Sequence, residues 1–207
     1  MPATTTLKSK KLIAEGTMAF LFEKPTSFSH RAGQTIDLTL VDPSETDTKG
    51  NTRTFSLASA PSEEHLMIAT RMRDSAFKRV LRNLPEGSQL QFDGPFGSMT
   101  LHQNSAKPAV MLAGGIGITP FRSMIMEVAL QKLPHKIILL YSNRRPEDTP
   151  LLVEFQAARK ENPNFSCVAT MTAMNASSQP WNGERGPINE EMLRRYVSDL
   201  TSPVYYI

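Results

Sequence analysis

The feature that most constrains the fold is an apolar segment that runs straight into a glycine-rich turn. Residues 109–113 (AVMLA) lead into Gly114, Gly115, Ile116, Gly117, Ile118, Thr119 and Pro120. A strand buried in a parallel sheet has this uniformly apolar composition, and proline is favoured in the first turn of a helix. The pattern predicts a strand, a tight turn and a helix, with Thr119 as the cap and Pro120 at the helix start.

Strand and helix patterns alternate through the rest of the C-terminal half. Predicted strands lie at 136–141, 165–171 and 204–207, and predicted helices at about 149–160 and 189–197. In the first of these helices Thr149 is the expected N-cap and Pro150 the first helical residue. Such alternation predicts a Rossmann-like parallel sheet with helices on its faces.

Short, apolar or alternating segments dominate the N-terminal half. Predicted strands cover 17–22, 35–40, 53–56, 65–71 and 88–92, and one helix is predicted over 76–84 with Asp74 or Ser75 as its cap. Many short strands with one helix favour an antiparallel β-barrel. We therefore expect two domains, 1–104 and 105–207.

The composition of the chain argues against several classes of function and of binding site. The net charge of +3 is spread along the chain, which argues against nucleic-acid binding. Cys167 is the single cysteine, so neither an intrachain disulfide nor a cysteine-ligated iron–sulfur cluster is possible, and the four histidines are too scattered to predict a metal site. With no membrane-length apolar run and no secretory signal in residues 1–11, we expect a cytoplasmic protein.

Residues 53–56 (RTFS) have the chemistry needed to hold a flavin. Arg53 can bind a phosphate, Phe55 can stack on a ring, and Ser56 can hydrogen-bond near the flavin N5. Alternation along a strand places Arg53 and Phe55 on one face and Ser56 on the other. On the tetrapeptide alone, an ordinary barrel strand with an exposed arginine is the favoured interpretation, because such runs are common.

Two further segments offer anion sites. Residues 70–78 (TRMRDSAFK) run from a strand into a helix, where free backbone amides and nearby arginines suit a pyrophosphate; a solvated basic loop is the alternative. After the strand at 136–141 come Ser142, Asn143, Arg144 and Arg145, whose two arginines suit the 2′-phosphate of NADPH. Exposed arginines without a ligand remain the alternative there.

Together these segments resemble the bacterial members of the ferredoxin-NADP reductase superfamily. The likeness rests on 53–56, Gly94-Pro95-Phe96-Gly97, 114–120, 141–148 and Trp181-Asn182-Gly183. The resemblance implies a six-stranded antiparallel barrel that binds FAD rather than FMN, and an NAD(P)H-binding α/β domain. It implies hydride transfer from NADPH or NADH to the flavin, and electron transfer to a small molecule or to a protein acceptor such as ferredoxin or another redox protein.

The resemblance also assigns roles to residues. Ser56 is the expected catalytic residue, beside flavin N5. The expected cofactor-binding residues are Arg53, Thr54, Phe55, Ser56, Thr70, Arg71, Met72, Ser75, Ala76, Phe77, Gly114, Gly115, Gly117, Thr119, Pro120, Ser142, Arg144 and Arg145.

Two departures from the family pattern affect these expectations. Phe55 stands where the family commonly has tyrosine, so ring stacking is retained without a hydroxyl contact. The chain also stops in a predicted strand that the family usually follows with a further turn and helix, so we expect it to be truncated there. A non-catalytic flavin-binding electron-transfer or regulatory subunit is the alternative function. We also expect NADPH to be preferred over NADH, because Arg144 and Arg145 could bind its 2′-phosphate.

Overall fold

The N-terminal half folds into a six-stranded antiparallel sheet. A computed structural model describes residues 2–207 of the chain. The strands are β1 (Ala3–Ala14), β2 (Thr17–Glu23), β3 (Thr35–Leu40), β4 (Thr52–Ser56), β5 (His65–Arg71) and β6 (Gln89–Phe96), in the order β4-β3-β6-β1-β2-β5. One helix, α1 (Ala76–Asn83), follows β5 and buries Phe77, Val80 and Leu81 against the sheet. The predicted antiparallel six-stranded architecture is confirmed.

The sheet is barrel-like but is not closed by a continuous strand ladder. Its edge strands β4 and β5 approach each other just after β4, where the Ala58 N–H donates to the Met67 carbonyl at 2.7 Å. The inner faces of all six strands and α1 enclose one apolar core that includes Phe20, Leu38 and Phe92. Burial of such side chains is the main stabilising term for this half.

The C-terminal half is a parallel sheet with helices packed on it. Its strands are β7 (Ala109–Gly114), β8 (Ile137–Asn143), β9 (Phe165–Met171), β10 (Glu184–Arg185) and β11 (Val204–Tyr206), in the order β10-β9-β8-β7-β11. The helices are α2 (Thr119–Leu130), α3 (Leu152–Glu161) and α4 (Glu190–Tyr196). The predicted alternating topology is confirmed, and the proposed division between residues 104 and 105 falls in the segment that joins the two sheets.

The longest strand is one that the sequence patterns did not predict. β1 has 12 residues, but its sequence (ATTTLKSKKLIA) is mostly polar. Only Thr5 and Leu7 are fully buried in it, because its distal half forms an exposed hairpin with β2. A strand with so few inward apolar residues carries little periodic signal.

The start of α3 also differs from the sequence prediction. Thr149 does not cap α3: its hydroxyl donates to the Arg145 carbonyl at 2.8 Å and it ends a short 3₁₀ turn, Pro146–Asp148. The helix begins after Leu151, which adopts a left-handed φ of 64°. Thr149 thus stabilises the preceding turn, so the helix starts later than its cap-like sequence suggests.

A buried arginine joins the two halves. Arg122 on α2 is only 6% exposed and pairs with Glu63 from the barrel and Glu154 from α3 at 2.8 and 2.5 Å. Its Nη1 also donates to the Ala58 carbonyl at 2.7 Å. Burial alone would lower its pKa, but the two carboxylates raise it, so the guanidinium stays charged.

The same face of α2 makes further polar contacts with the barrel. The Ser123 hydroxyl donates to the Ser59 carbonyl at 2.6 Å, and the Glu127 carboxylate accepts the Ser62 N–H at 2.9 Å. All these barrel partners lie within residues 58–63, which we term the junction segment. One short segment and one helix face therefore fix the orientation of the two halves.

The chain that crosses between the sheets is attached to the C-terminal half through His102. Its backbone N–H donates to the Tyr206 hydroxyl on β11 at 2.8 Å, and its carbonyl accepts a hydrogen bond from His135 Nε2 at 2.8 Å.

Within residues 2–207 no helix is both long and apolar enough to cross a membrane.

Replacing Arg122 should lower the stability of the folded protein. We expect Arg122→Ala to lower the free energy of unfolding by about 3–5 kcal/mol, because two carboxylates would remain at the junction without their cation. Urea denaturation measures this loss.

The matched control is Arg194→Ala. Arg194 pairs with Glu190 on the surface of α4, with both side chains more than half exposed. That change should lower the free energy of unfolding by about 0.5 kcal/mol or less. Equal losses in the two variants would show that Arg122 does not hold the junction.

Candidate functional site

Three side chains form a stack at the end of the barrel near β4. The Phe55 and Phe77 ring centroids are 5.8 Å apart, and Arg53 Cζ lies 5.2 Å from the Phe77 centroid. Arg53 and Phe55 thus share one strand face, as their spacing predicts. Thr54 and Ser56 alternate to the other face, where Thr54 donates to Asp37 and Ser56 pairs in register with Thr35.

Cations gather where β5 leads into α1. Ser75 caps α1 by accepting the Lys78 N–H at 3.4 Å, which confirms its predicted capping role. Burial lowers the pKa of Lys78, and the nearby positive charges of Arg73 and Arg53 lower it further. We term Arg53, Arg73, Lys78 and the N-terminus of α1 the cation cluster.

The other predicted residues of this segment support the cluster. Thr70 is buried, and the Met72 N–H donates to the Gly16 carbonyl at 2.8 Å. Ala76 and Phe77, the first two residues of α1, are buried too. Their side chains position α1, and the Phe77 ring also lies beneath the Arg53 guanidinium of the cluster.

The loop between β3 and β4 brings acidic side chains to the cluster. Asp47 accepts from Arg53 Nη2 at 3.0 Å and from the Lys49 N–H at 2.9 Å. The Lys49 N–H, the Arg53 charge and the Ala76 N–H all lower the Asp47 pKa. Glu45, in the same loop, pairs with Arg79 on α1 at 2.6 Å.

The glycine turn lies against the barrel beside the cluster. Gly115 begins a 3₁₀ turn, Gly115–Ile118, with a left-handed φ of 53°. A Cβ there would come within 3.2 Å of Arg71 Nη2, whereas Gly114 and Gly117 face open space. Arg71, at the end of β5, therefore reaches across to this turn.

A buried tyrosine supports the turn from behind. Tyr141 is fully buried on β8, and its hydroxyl lies 3.0 Å from the Gly115 carbonyl and 3.2 Å from the Pro150 carbonyl. Burial raises the pKa of this hydroxyl, so it remains a donor. It joins the glycine turn to the start of α3.

Thr119 does not cap α2 as its position suggested. It already has helical backbone angles, and its hydroxyl donates to the Ile116 carbonyl at 3.2 Å. The 3₁₀ turn runs directly into α2, so Ile118 occupies the cap position and Pro120 lies in the first helical turn. Because the 3₁₀ turn leads directly into α2, and Ile118 at the cap position already has helical backbone angles, the helix needs no side-chain cap.

The two arginines after β8 have different surroundings. Arg145 pairs with Asp148 at 2.8 Å and with Glu15 of the β1–β2 hairpin at 2.9 Å. Arg144 is exposed, and Ser142 is half-buried in register with Gly114 of β7. Arg144 is therefore the better placed of the two to meet a ligand.

An ionised carboxylate lies beside these arginines. Glu147 accepts hydrogen bonds from the backbone and hydroxyl of Ser178 at 2.8 and 2.9 Å, and from the Ser177 hydroxyl. Backbone amides, including that of Ser178, and the two hydroxyls hold its pKa to about 2. This charge offsets part of the positive potential at the carboxyl ends of β8 and β9.

Sequence reasoning missed three residues that shape this site: Asp47, Arg122 and Tyr141. Asp47 lies in a polar loop with no motif, and its partners come from β4 and α1. Arg122 is the one cation of helix α2, which is largely apolar, and this is a signal that marks it for pairing. Tyr141 was assigned to its strand without a role for its hydroxyl. No group of three or more His, Cys, Asp or Glu side chains within residues 2–207 is arranged to hold a metal ion.

Comparison with known proteins gives concordant matches to both halves. Residues 111–207 match the family model of the oxidoreductase NAD-binding domain. The chain is 28% identical to the glycine betaine monooxygenase reductase subunit of Chromohalobacter salexigens, over 88% of this chain and 50% of that protein. The chain spans about half the length of the first curated relatives it matches.

Solved structures share the whole fold. The cytochrome b5 reductase domain of Ulva prolifera nitrate reductase superposes with a TM-score of 0.79 at 19% identity, over 99% of this chain and 86% of that one. A ferredoxin NADP+ reductase from Neisseria gonorrhoeae, with bound FAD and NADP, gives 0.77 at 22% identity, over 99% and 83%. At these identities the likeness concerns the fold.

Removing the Tyr141 hydroxyl should loosen the glycine turn. We expect Tyr141→Phe to cost about 1–3 kcal/mol, because the Gly115 and Pro150 carbonyls would lose a buried donor. Hydrogen exchange should become faster across Gly115–Ile118. Tyr196→Phe, at a more exposed tyrosine on α4, is the control and should cost about 0.5 kcal/mol or less. Unchanged exchange in the turn would contradict this role.

Proposed function

We propose that the chain belongs to the ferredoxin-NADP reductase superfamily and that it is a flavin-dependent oxidoreductase. It would take a hydride from NADH or NADPH and pass electrons to an acceptor. The observation that carries the proposal is the adjacency of two phosphate-binding features, the cation cluster and the glycine turn. Arg71 links them, since it ends β5 beside the cluster and its Nη2 lies 3.2 Å from the point that a Cβ on Gly115 would occupy.

The residues at the cluster fit a flavin. Burial lowers the pKa of Lys78, and repulsion from the positive charges of Arg73 and Arg53 lowers it further. A pyrophosphate would relieve that repulsion and would accept N–H groups at the start of α1. Phe55 offers a ring face, and Ser56 or its backbone would lie near the reacting nitrogen. Two phosphates suit this spread of cations better than one, so we propose FAD rather than FMN.

The glycine turn is the proposed site for the nicotinamide nucleotide. Gly114 and Gly117 leave room for close approach, and Tyr141 holds the Gly115 carbonyl in place. Ser142 and Arg144 would meet the ribose end. A bound flavin supplies the redox chemistry, and the protein's own residues bind and orient the two cofactors.

The acceptor is proposed to be another redox protein or protein component. Curated relatives are named as reductase components of oxygenases, which supports a protein acceptor such as a ferredoxin or an oxygenase. We also propose a cytoplasmic location, because Cys167 has no second cysteine to pair with.

The purified protein provides a direct test. Heat release and mass spectrometry identify any flavin, and anaerobic addition of NADH or NADPH should bleach its absorbance. Absence of flavin, even after incubation with FAD, would overturn the proposal. Flavin that neither nucleotide reduces would instead support the non-catalytic electron-transfer subunit.

Arg53 should contribute strongly to flavin affinity. We expect Arg53→Ala to weaken FAD binding by about 1.5–3 kcal/mol, as for loss of a hydrogen bond to a charged group. Fluorescence titration of flavin-free protein measures this change, with Arg194→Ala as a control that keeps wild-type affinity. Unchanged affinity in Arg53→Ala would remove this residue from the site.

Arg144 and Arg145 should differ in their effect on nucleotide choice. We expect Arg144→Ala to raise the KM for NADPH by about tenfold or more and to leave NADH unaffected, because only NADPH has the 2′-phosphate. Arg145→Ala should instead lower thermal stability, since Asp148 and Glu15 lose their partner. Equal effects on both nucleotides in Arg144→Ala would indicate contact with a shared phosphate.

A further inference from the structure

We propose that the loop between β3 and β4, residues 41–51, is an anionic latch on the flavin-phosphate site. In this inference, which rests on the proposed function, Asp47 holds contacts that a cofactor phosphate needs. Binding then proceeds by exchange: the phosphate takes the place of the Asp47 carboxylate at Arg53 and α1, and the loop moves away. The loop would thereby set the affinity and the rate of flavin binding.

The loop encloses the Arg53 guanidinium. Nη2 donates to the Asp47 carboxylate at 3.0 Å. Nη1 donates to the carbonyls of Lys49, Gly50 and Thr52 at 2.8, 3.0 and 2.7 Å. The Arg53 side chain is consequently only 21% exposed. A ligand that binds this guanidinium from the cation cluster must displace part of the loop.

Asp47 also lies near the start of α1. The Ala76 N–H, the first of the helix, is among the groups that lower the Asp47 pKa. The carboxylate is therefore charged at neutral pH, and a phosphate beside it would meet a like charge. Exchange of one anion for the other avoids this repulsion, whereas simultaneous binding does not.

The latch is held weakly enough to open. Its second attachment is the pair between Glu45 and Arg79, whose side chains are 41% and 48% exposed. Exposed ion pairs contribute about 0–1 kcal/mol. The loop supplies one carboxylate to a cluster that also contains Arg73 and Lys78, so a pyrophosphate can compensate more positive charge than Asp47 does.

The test compares three single substitutions in flavin-free protein. Asp47→Asn removes the competing charge and keeps the side-chain shape. Asp42→Asn is the matched control, because it makes the same charge change in the same loop at an exposed position whose φ of 42° asparagine tolerates. Glu45→Gln weakens the latch at its other attachment. FAD, ADP and inorganic pyrophosphate are titrated by calorimetry, and unliganded melting temperatures are recorded.

We expect opposite effects on affinity and stability in Asp47→Asn. It should bind FAD and ADP roughly tenfold more tightly, equivalent to about 1.4 kcal/mol, yet melt at a lower temperature without ligand. Glu45→Gln should bind about twofold to threefold more tightly, and Asp42→Asn should match the wild type. A purely structural role of Asp47 would lower stability and affinity together.

The outcomes separate this inference from the proposed function. Equal or weaker FAD binding by Asp47→Asn, while the wild type binds FAD, overturns the latch alone. Failure of the wild type and every variant to bind FAD, ADP or pyrophosphate overturns the proposed function as well. If Asp47→Asn does not fold, unchanged affinity in Glu45→Gln still contradicts the latch.

Discussion

The arrangement of the site depends on one buried cation, the Arg122 guanidinium. It lies between a barrel carboxylate and an α3 carboxylate and also binds a barrel carbonyl. Buried ion pairs give little net stability but are costly to break, so this network acts chiefly to select one orientation of the two halves. The cation cluster belongs to the barrel and the glycine turn to the C-terminal half, so the placement of one relative to the other follows from the geometry of this junction.

The position of the glycine turn depends on the same junction, because the turn is joined to α2. The turn runs without interruption into the helix that carries Arg122. Ile116 in the turn packs against barrel residues Ala58 and Ala69, and Tyr141 fixes the turn from the sheet. The barrel thus defines the cation cluster and also positions the turn, which is why Arg71 can contact both.

Local sequence patterns were sufficient to predict most of the fold and part of the candidate site. The bounds of β3, β5 and β9 were predictable because their apolar residues follow the strand period or form continuous buried runs. β1 was not, since its outward residues are charged. The partners of Arg122 could not be predicted for a different reason: Glu63 lies 59 residues from Arg122, and pairing over such distances leaves no periodic mark. The roles of the predicted cofactor residues stay predictions.

The His102–Tyr206 contact has a consequence for biosynthesis. The two residues are separated by 104 positions, so a ribosome completes the barrel and the crossing segment long before the hydroxyl that anchors that segment exists. Domains generally fold as units during translation, starting from the N-terminus. The nascent barrel would therefore spend an interval with its trailing segment untethered, and in that interval chaperones and proteases would have their best access to the chain.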